Sequence, residues 1–233
     1  MSDSWISVAE AADQLGVSPV AVRLRLADGR LAGQRVGRQW LVDIRSLNDL
    51  KHNRPAPGRP MSPSVAWSVL LAASGDRVGA QEAVDDDRYY YRALKWLLHH
   101  SLADDRSRLR LRAEAERFHV HPAELRRIAE RPDVVRTGVA AGGQAGLVGG
   151  PQALELYAPA SHREQFVRDH ALESGDGPLL VRWTPDSLWG LLDRDGDGAA
   201  PRAAVLLDLL EAQDPRARRE ARRALEELAD TMA

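Results

Sequence analysis

The chain has 233 residues, 44% hydrophobic and 28% charged, and no cysteine, which excludes disulfides, thiolate zinc sites and cysteine nucleophiles together. No apolar run approaches the ~20 residues of a bilayer span, and the polar start lacks a signal peptide's order, so a cytoplasmic protein without a membrane partner is expected. The net charge of −2 hides an asymmetry: residues 1–60 carry nine basic against six acidic side chains, residues 61–131 twelve against eleven, and residues 132–233 eleven against seventeen. A basic head on an acidic tail suits a head that meets phosphates and a tail that meets something else.

Trp5-Ile6-Ser7 leads into Val8, Ala11, Ala12 and Leu15, an apolar series at helical spacing. Ser7 and Glu10 form a capping box at its start, and Gly16 supplies a left-handed stop. After Val17, Ser18-Pro19 is a cap-and-proline signal for a second helix running to about Asp28, which Gly29 ends. The period then changes. Arg35-Val36 and Trp40-Leu41-Val42 read as two short strands around a Gly37-Arg38 turn, and Asp43 caps a helix through Ile44, Leu47 and Leu50.

This stretch closely resembles the excisionase/MerR-type DNA-binding domain. The resemblance is carried by Ser7-Val8-Ala9-Glu10-Ala11-Ala12, Leu15-Gly16-Val17-Ser18, Asp28-Gly29-Arg30-Leu31 and Arg35-Val36-Gly37-Arg38-Gln39-Trp40. It covers roughly residues 5–50 and implies a winged helix-turn-helix that places its second helix in the major groove of double-stranded DNA, with the wing on phosphate or in the minor groove. Val22 and Leu26, four apart, should face the core. Two sets can then face the groove: Ser18, Ala21 and Arg25, or Ala21 with Arg23 and Leu24. Arginines in either set can pair with guanine edges or reach phosphates. Arg35, Arg38 and the adjoining Gln39 are the wing candidates. Family members usually carry an arginine near the position of Leu24 and a large apolar residue near Arg25; here the order is reversed.

His52 to Pro60 is a basic, proline-rich connector, extended rather than helical. Ser62-Pro63 repeats the helix-start signal, and the next helix, with Val65, Ala66, Trp67, Val69 and Leu70, is apolar nearly all round and therefore buried. Gly75 ends it. Residues 80–102 read as one longer helix with Tyr90, Leu94, Leu97 and Leu98 on one side. Tyr89, Tyr90 and Tyr91 beside Arg88 and Arg92 suit either packing or nucleic-acid stacking. Arg106, Arg108, Arg110 and Arg112 alternate with Leu109 and Leu111, as a basic strand face or a helix end would.

Farther on, strands are expected at 115–120, 134–138, 153–157 and 179–183, and helices at 122–130, 162–171, 201–211 and 215–228. The whole is therefore read as an α+β protein: a winged helix-turn-helix at 1–52, a linker at 53–61, a helical segment at 62–112 and a small-sheet α+β domain at 113–233. The later part resembles actinobacterial antitoxins of the AbiEi type. It does so through Gly58-Arg59-Pro60-Met61-Ser62-Pro63-Ser64-Val65-Ala66-Trp67, His121-Pro122-Ala123-Glu124-Leu125, Tyr157-Ala158-Pro159-Ala160, the run from Pro201 to Glu211, and Asp214-Pro215-Arg216-Ala217-Arg218. That resemblance implies an autorepressor of a type IV toxin–antitoxin operon whose partner is a nucleotidyltransferase-like toxin. The excisionase-like head departs from that family's usual winged helix.

Other chemistry is set aside. Asp193-Arg194-Asp195-Gly196-Asp197-Gly198 copies the first half of a calcium loop, but Ala204 stands where the bidentate glutamate belongs. His119 and His121 lack a third metal ligand. The glycine-rich Gly142 to Gly150 lacks a phosphate-loop lysine and reads as a mobile hairpin tip. No nucleophile–base set is visible, so a non-enzyme without cofactor or metal is expected. The alternative keeps the DNA-binding head and makes the body a small-molecule sensor. Operator binding favours a two-fold dimer, although no coiled-coil heptads declare one.

Overall fold

Serine caps set the first helices. In the computed structural model, which describes residues 5–29, 31–37, 39–47, 59–141, 153–193, 196–212 and 214–232 (side chains of the last helix through Ala229), the chain divides into two compact units, Met1–Pro55 and Ala56–Ala233. In the first, strand β1 (Trp5–Ser7) runs into helix α1 (Val8–Leu15). The Ser7 hydroxyl accepts from the Glu10 amide at 3.2 Å, and the Glu10 carboxylate accepts from the Ser7 amide at 2.8 Å. Gly16 leaves the helix at φ 61°, a conformation that favours glycine. Ser18 then caps α2 (Pro19–Ala27) through the Ala21 amide. Strands β2 (Gly33–Val36) and β3 (Gln39–Asp43) form an antiparallel hairpin, and β1 adds to its other side, giving the order β1-β3-β2.

The strand at Trp5–Ser7 is not foreseen by the sequence pattern, because three residues are too few to show alternation. Its register, Ile6 opposite Val42, ties the start of α1 to the hairpin. Asp43 accepts from the Arg45 amide and caps helical residues 44–47; Leu50 lies outside the described residues. Val8, Ala11, Ala12, Leu15, Val22, Leu26, Leu31, Val42 and Leu47 make the core.

The second unit is built round α3 (Pro63–Ala73), capped by Ser62 and buried from Ala66 to Ala73. The single helix expected over 80–102 is instead α4 (Arg77–Glu82) and α5 (Asp87–His99). Asp85 and Asp86 lie between them, and Asp86 turns its carboxylate to the Arg88 amide at 2.8 Å, offering the backbone a new start instead of a continuation. Arg106–Arg112 is neither a strand nor the end of an α-helix but a 3-10 helix. Its period of three stacks Arg106, Leu109 and Arg112 on one side, and the last two are buried.

The sheet comprises β4 (Glu114–His119), β5 (Val135–Arg136), β6 (Leu154–Pro159), β7 (Glu173–Ser174) and β8 (Leu179–Thr184), in the order β5-β6-β8-β4-β7. The central pair, β6 and β8, is parallel; the other pairings are antiparallel. Both central strands are buried along their whole length, as parallel strands covered on two faces must be. The strand expected at 134–138 stops early, because Gly138 takes φ 52° and opens the short helix α7 (Gly138–Ala141).

One face of the sheet packs with α6 (Pro122–Ala129) and α8 (Arg163–Asp169) around Phe118, Ile128, Leu156, Phe166, Val181 and Trp183. The other face belongs to a larger core that joins Trp67 and Leu70 of α3 with Tyr157, α10 (Arg202–Leu209) and α11 (Pro215–Met232); α9 (Asp186–Trp189) adds Leu188. The helical segment at 62–112 and the α+β part at 113–233 thus share one core, where separate segments are expected from sequence. Among the described residues no helix is long and apolar enough to cross a membrane. The glycine-rich Gly142 to Gly150 and residues 53–58 of the linker at 53–61 lie outside the described residues.

Gly33 brings β2 against α2: a Cβ there would fall 2.6 Å from the Leu41 carbonyl oxygen and as close to Leu26 Cδ2. Gly33→Ala should therefore destabilise the N-terminal unit by about 1–3 kcal/mol. Hydrogen exchange of the α1, α2 and β3 amides in the full chain should quicken accordingly; unchanged protection would mean the hairpin has room to shift.

Candidate functional site

Helix α2 turns Val22 and Leu26 into the core, so its opposite face is fixed by geometry. That face carries Val20 and Leu24, each 61% exposed, together with Arg23 and Ala27. Of the two groove-facing sets the spacing allows, Arg23 and Leu24 are the pair turned to solvent. Arg25 lies on the flank, partly buried, with its Nη1 donating to the Ala21 carbonyl at 3.2 Å. Ala21 is half-buried, while Ser18 is exposed with its hydroxyl occupied as the cap.

On the hairpin, Gln34, Arg35, Val36 and Gln39 are exposed, and Arg35 stands opposite Trp40 in the register. Trp40 itself packs against the core. Arg38 lies outside the described residues. The face of α2 is therefore one cation among aliphatic groups, with a second described cation, Arg35, on β2. The acids of α1 lie elsewhere in the unit, and Glu10 is committed to its cap, where the Ser7 amide and hydroxyl hold its carboxyl below the ordinary value. Exposed Val20 escaped the sequence reading, although it is two positions before Val22 and so on the opposite side of the helix.

In the second unit four charged side chains, Arg112, Glu155, Arg182 and Asp208, are buried among the described residues. Asp208 of α10, wholly buried, receives hydrogen bonds from Arg112 Nη2, from Thr137 Oγ1 at 2.6 Å and from the Tyr157 hydroxyl at 2.8 Å. Arg182 Nε lies 3.3 Å from the same carboxylate, and its Nη2 donates to half-exposed Glu211 at 2.7 Å. Arg112 Nε also donates to the Tyr157 hydroxyl, and its carbonyl accepts from Trp67 Nε1. Burial pushes the Asp208 carboxyl up, but the Arg182 and Arg112 guanidiniums and the Thr137 hydroxyl more than reverse it, so it stays below the ordinary value. Glu155 is the contrary case. Burial raises its carboxyl to about 7 despite Arg182, with the Asp208 charge adding to the rise.

No protein-family model, curated protein or solved structure matches this chain.

What the chain binds must therefore be argued from its own surfaces. The acidic loop spends its carboxylates on itself: Asp193 accepts from the Gly198 amide and Asp197 from the Ala199 amide. Arg194 and Asp195 lie outside the described residues. His119 packs against Gly175 and His121 caps α6. Among the described residues no His, Asp and Glu group is arranged to hold a metal ion. Of the tyrosines, Tyr90 packs on the core while Tyr89 and Tyr91 are exposed, with Arg92 over the Tyr89 ring. A cavity of about 900 Å³ beside α10 is lined by Leu71, Ser74, Asp76, Leu192, Arg202 and Val205 among others.

Two outcomes follow from the buried charges. Since Glu155 titrates near 7 when folded and near 4.5 when unfolded, the folded state keeps a proton that the unfolded chain releases between those values. Its contribution to stability therefore falls as pH rises from about 4.5 to 7, by up to ~3 kcal/mol. Glu155→Gln should flatten that part of the urea-denaturation profile and be the more stable protein at about pH 8; parallel profiles would refute this. Asp208→Asn leaves two buried guanidiniums facing only Glu211 and should cost about 3–5 kcal/mol. A thermal midpoint within a degree of the parent would show the cluster to be dispensable.

Proposed function

We propose that the chain is a sequence-specific, double-stranded-DNA-binding transcriptional regulator, with a winged helix-turn-helix as its N-terminal unit. The observation that carries this reading is the sidedness of α2 and the hairpin. The chain runs helix, Gly16-Val17 turn, helix and antiparallel hairpin, and the second helix turns Arg23 and Leu24 outward while the hairpin turns Arg35 outward. A short helix and a β-ribbon tip of this kind are the elements that enter grooves and meet phosphates. Binding as a two-fold dimer to paired half-sites follows the usual geometry of such modules.

The acidic body is assigned to a partner rather than to DNA. With the resemblance to AbiEi-type antitoxins, this makes an autorepressor that acts in the cytoplasm and holds a nucleotidyltransferase-like toxin the leading reading. The cavity beside α10 supports a second reading, a small-molecule sensor, because its volume is that of a ligand pocket. A small molecule that raises the melting temperature of the full chain and alters operator affinity would favour the sensor.

The deciding experiment is fluorescence anisotropy of the full chain on duplex DNA from upstream of its own gene, between about 50 and 200 mM salt. Affinity should fall steeply across that range. Arg23→Ala and Arg35→Ala should each weaken binding and reduce the slope of log K against log salt by about one. Absence of duplex binding, or binding indifferent to salt, would remove the DNA-binding reading.

A further inference from the structure

The outward face of α2 is unusual for a helix that meets DNA. From Val20 to Ala27 its solvent side presents Val20, Arg23, Leu24 and Ala27, so a single side chain there can hydrogen-bond a base edge. Val20 and Leu24 are four residues apart, one above the other, about 6 Å along the helix axis. Neither is spare core, since Val22 and Leu26 already close the interior on the far side. Two aliphatic side chains fall far short of the ~800 Å² per partner that a standard protein interface covers. The exposed residues of the neighbouring hairpin are Gln34, Arg35, Val36 and Gln39, polar, basic or aliphatic and without a carboxylate. The patch is therefore small and apolar, with Arg23 and the hairpin's Arg35 as its described cations and exposed Asp28, four residues after Leu24, at its end. It fits an apolar group set into a polyanion.

In the major groove that group is the 5-methyl of a pyrimidine. We infer that Val20 and Leu24 read pyrimidine 5-methyl groups, thymine first among them, while Arg23 supplies the polar contact. The inference rests on the DNA-binding reading and gives it a sequence preference: thymines roughly two base-pair steps apart, where the ~6 Å spacing of the two side chains meets the 3.4 Å rise per base. Arginine pairing with guanine then plays the lesser part.

The test starts with selection of binding sites by the full-length protein from randomised duplex DNA. Each thymine of the selected site is then replaced by deoxyuridine, which keeps base pairing and removes only the methyl. At one or two thymines of each half-site affinity should fall about fourfold, the value of one buried methyl. In a parallel arm, a cytosine placed at that position should bind better when 5-methylated, which separates the methyl group from the rest of the thymine base. Leu24→Ala and Val20→Ala, both at exposed positions, should make binding indifferent to deoxyuridine while leaving its salt slope unchanged. Duplex binding with no deoxyuridine effect at any position would overturn the inference and leave the DNA-binding reading intact. Failure to bind any duplex would overturn both. A dimer that dissociates on Leu24→Ala, with the methyl effects absent, would assign the face to a second copy of the chain and overturn the inference as well.

Discussion

The body depends on one carboxylate. Asp208 sits one residue from the end of a helix that is apolar after Arg202, and four other parts of the chain reach it: the 3-10 helix through Arg112, the end of β5 through Thr137, β6 through Tyr157 and β8 through Arg182. A charge so placed is tolerable only because it is matched by two guanidiniums and two hydroxyls, since an unpaired ion inside a protein is far costlier than any apolar substitute. The same requirement makes the cluster selective. Sliding α10 by one residue along the sheet would leave Asp208 against methyl groups and both arginines without their acid. Packing of Ala203 to Leu210 alone would allow such slippage, because small and branched apolar residues repeat along the whole helix.

The N-terminal unit is stabilised by other means. Among the described residues its core holds nine small or medium buried apolar side chains, with Ile6, Val17 and Trp40 packed against them, a small core for specifying a fold by volume alone. Local devices supply what the core lacks: the reciprocal Ser7–Glu10 cap, the Ser18 cap, the left-handed Gly16, and a hairpin whose Gly33 lets two backbones approach. The Ser46 hydroxyl takes the Ala32 amide at 2.8 Å and ties the residues after the hairpin to its start. The caps act within three residues of one another and the Ser46 bond spans 14, whereas Arg112 and Asp208 meet across 96 positions of chain.

That difference explains what could be read without coordinates. Caps, glycine stops, the 3.6-residue stripes of α1 and α2 and the nearly unbroken apolar run of α3 are written in adjacent residues, and these helices appear where their signals stand. Short elements carry too little pattern, so Trp5–Ser7 and Glu173–Ser174 pass unnoticed until their partners Val42 and Phe118 are seen beside them. The break between α4 and α5 needs knowledge of which aspartate side chain takes the backbone amide. The arginine-rich run ending at Arg112 looks like a solvated face; only its period of three hints that one arginine in it turns inward, and its acid lies far along the chain. In the candidate interface, Val22 and Leu26 set the facing of α2 from spacing alone. The roles of Leu24 and Arg25 needed coordinates, because a flanking arginine can either reach out or, as here, lie back on its own helix.

The two ends of the second unit's sheet bear on how the molecule can assemble. At one side it stops with β7, two residues long; at the other, β5 is also two residues, and its Arg136 is already engaged through its amide and carbonyl by Gly198 and Ala200. An open strand edge is a template on which another chain can add itself, and the usual protections are brevity and cover. Brevity is present at both margins and cover at the β5 side, so growth of the sheet from molecule to molecule, the route to fibrils and to domain exchange, is resisted there. Contacts between copies of this body then fall to helices and loops, contacts that can separate again.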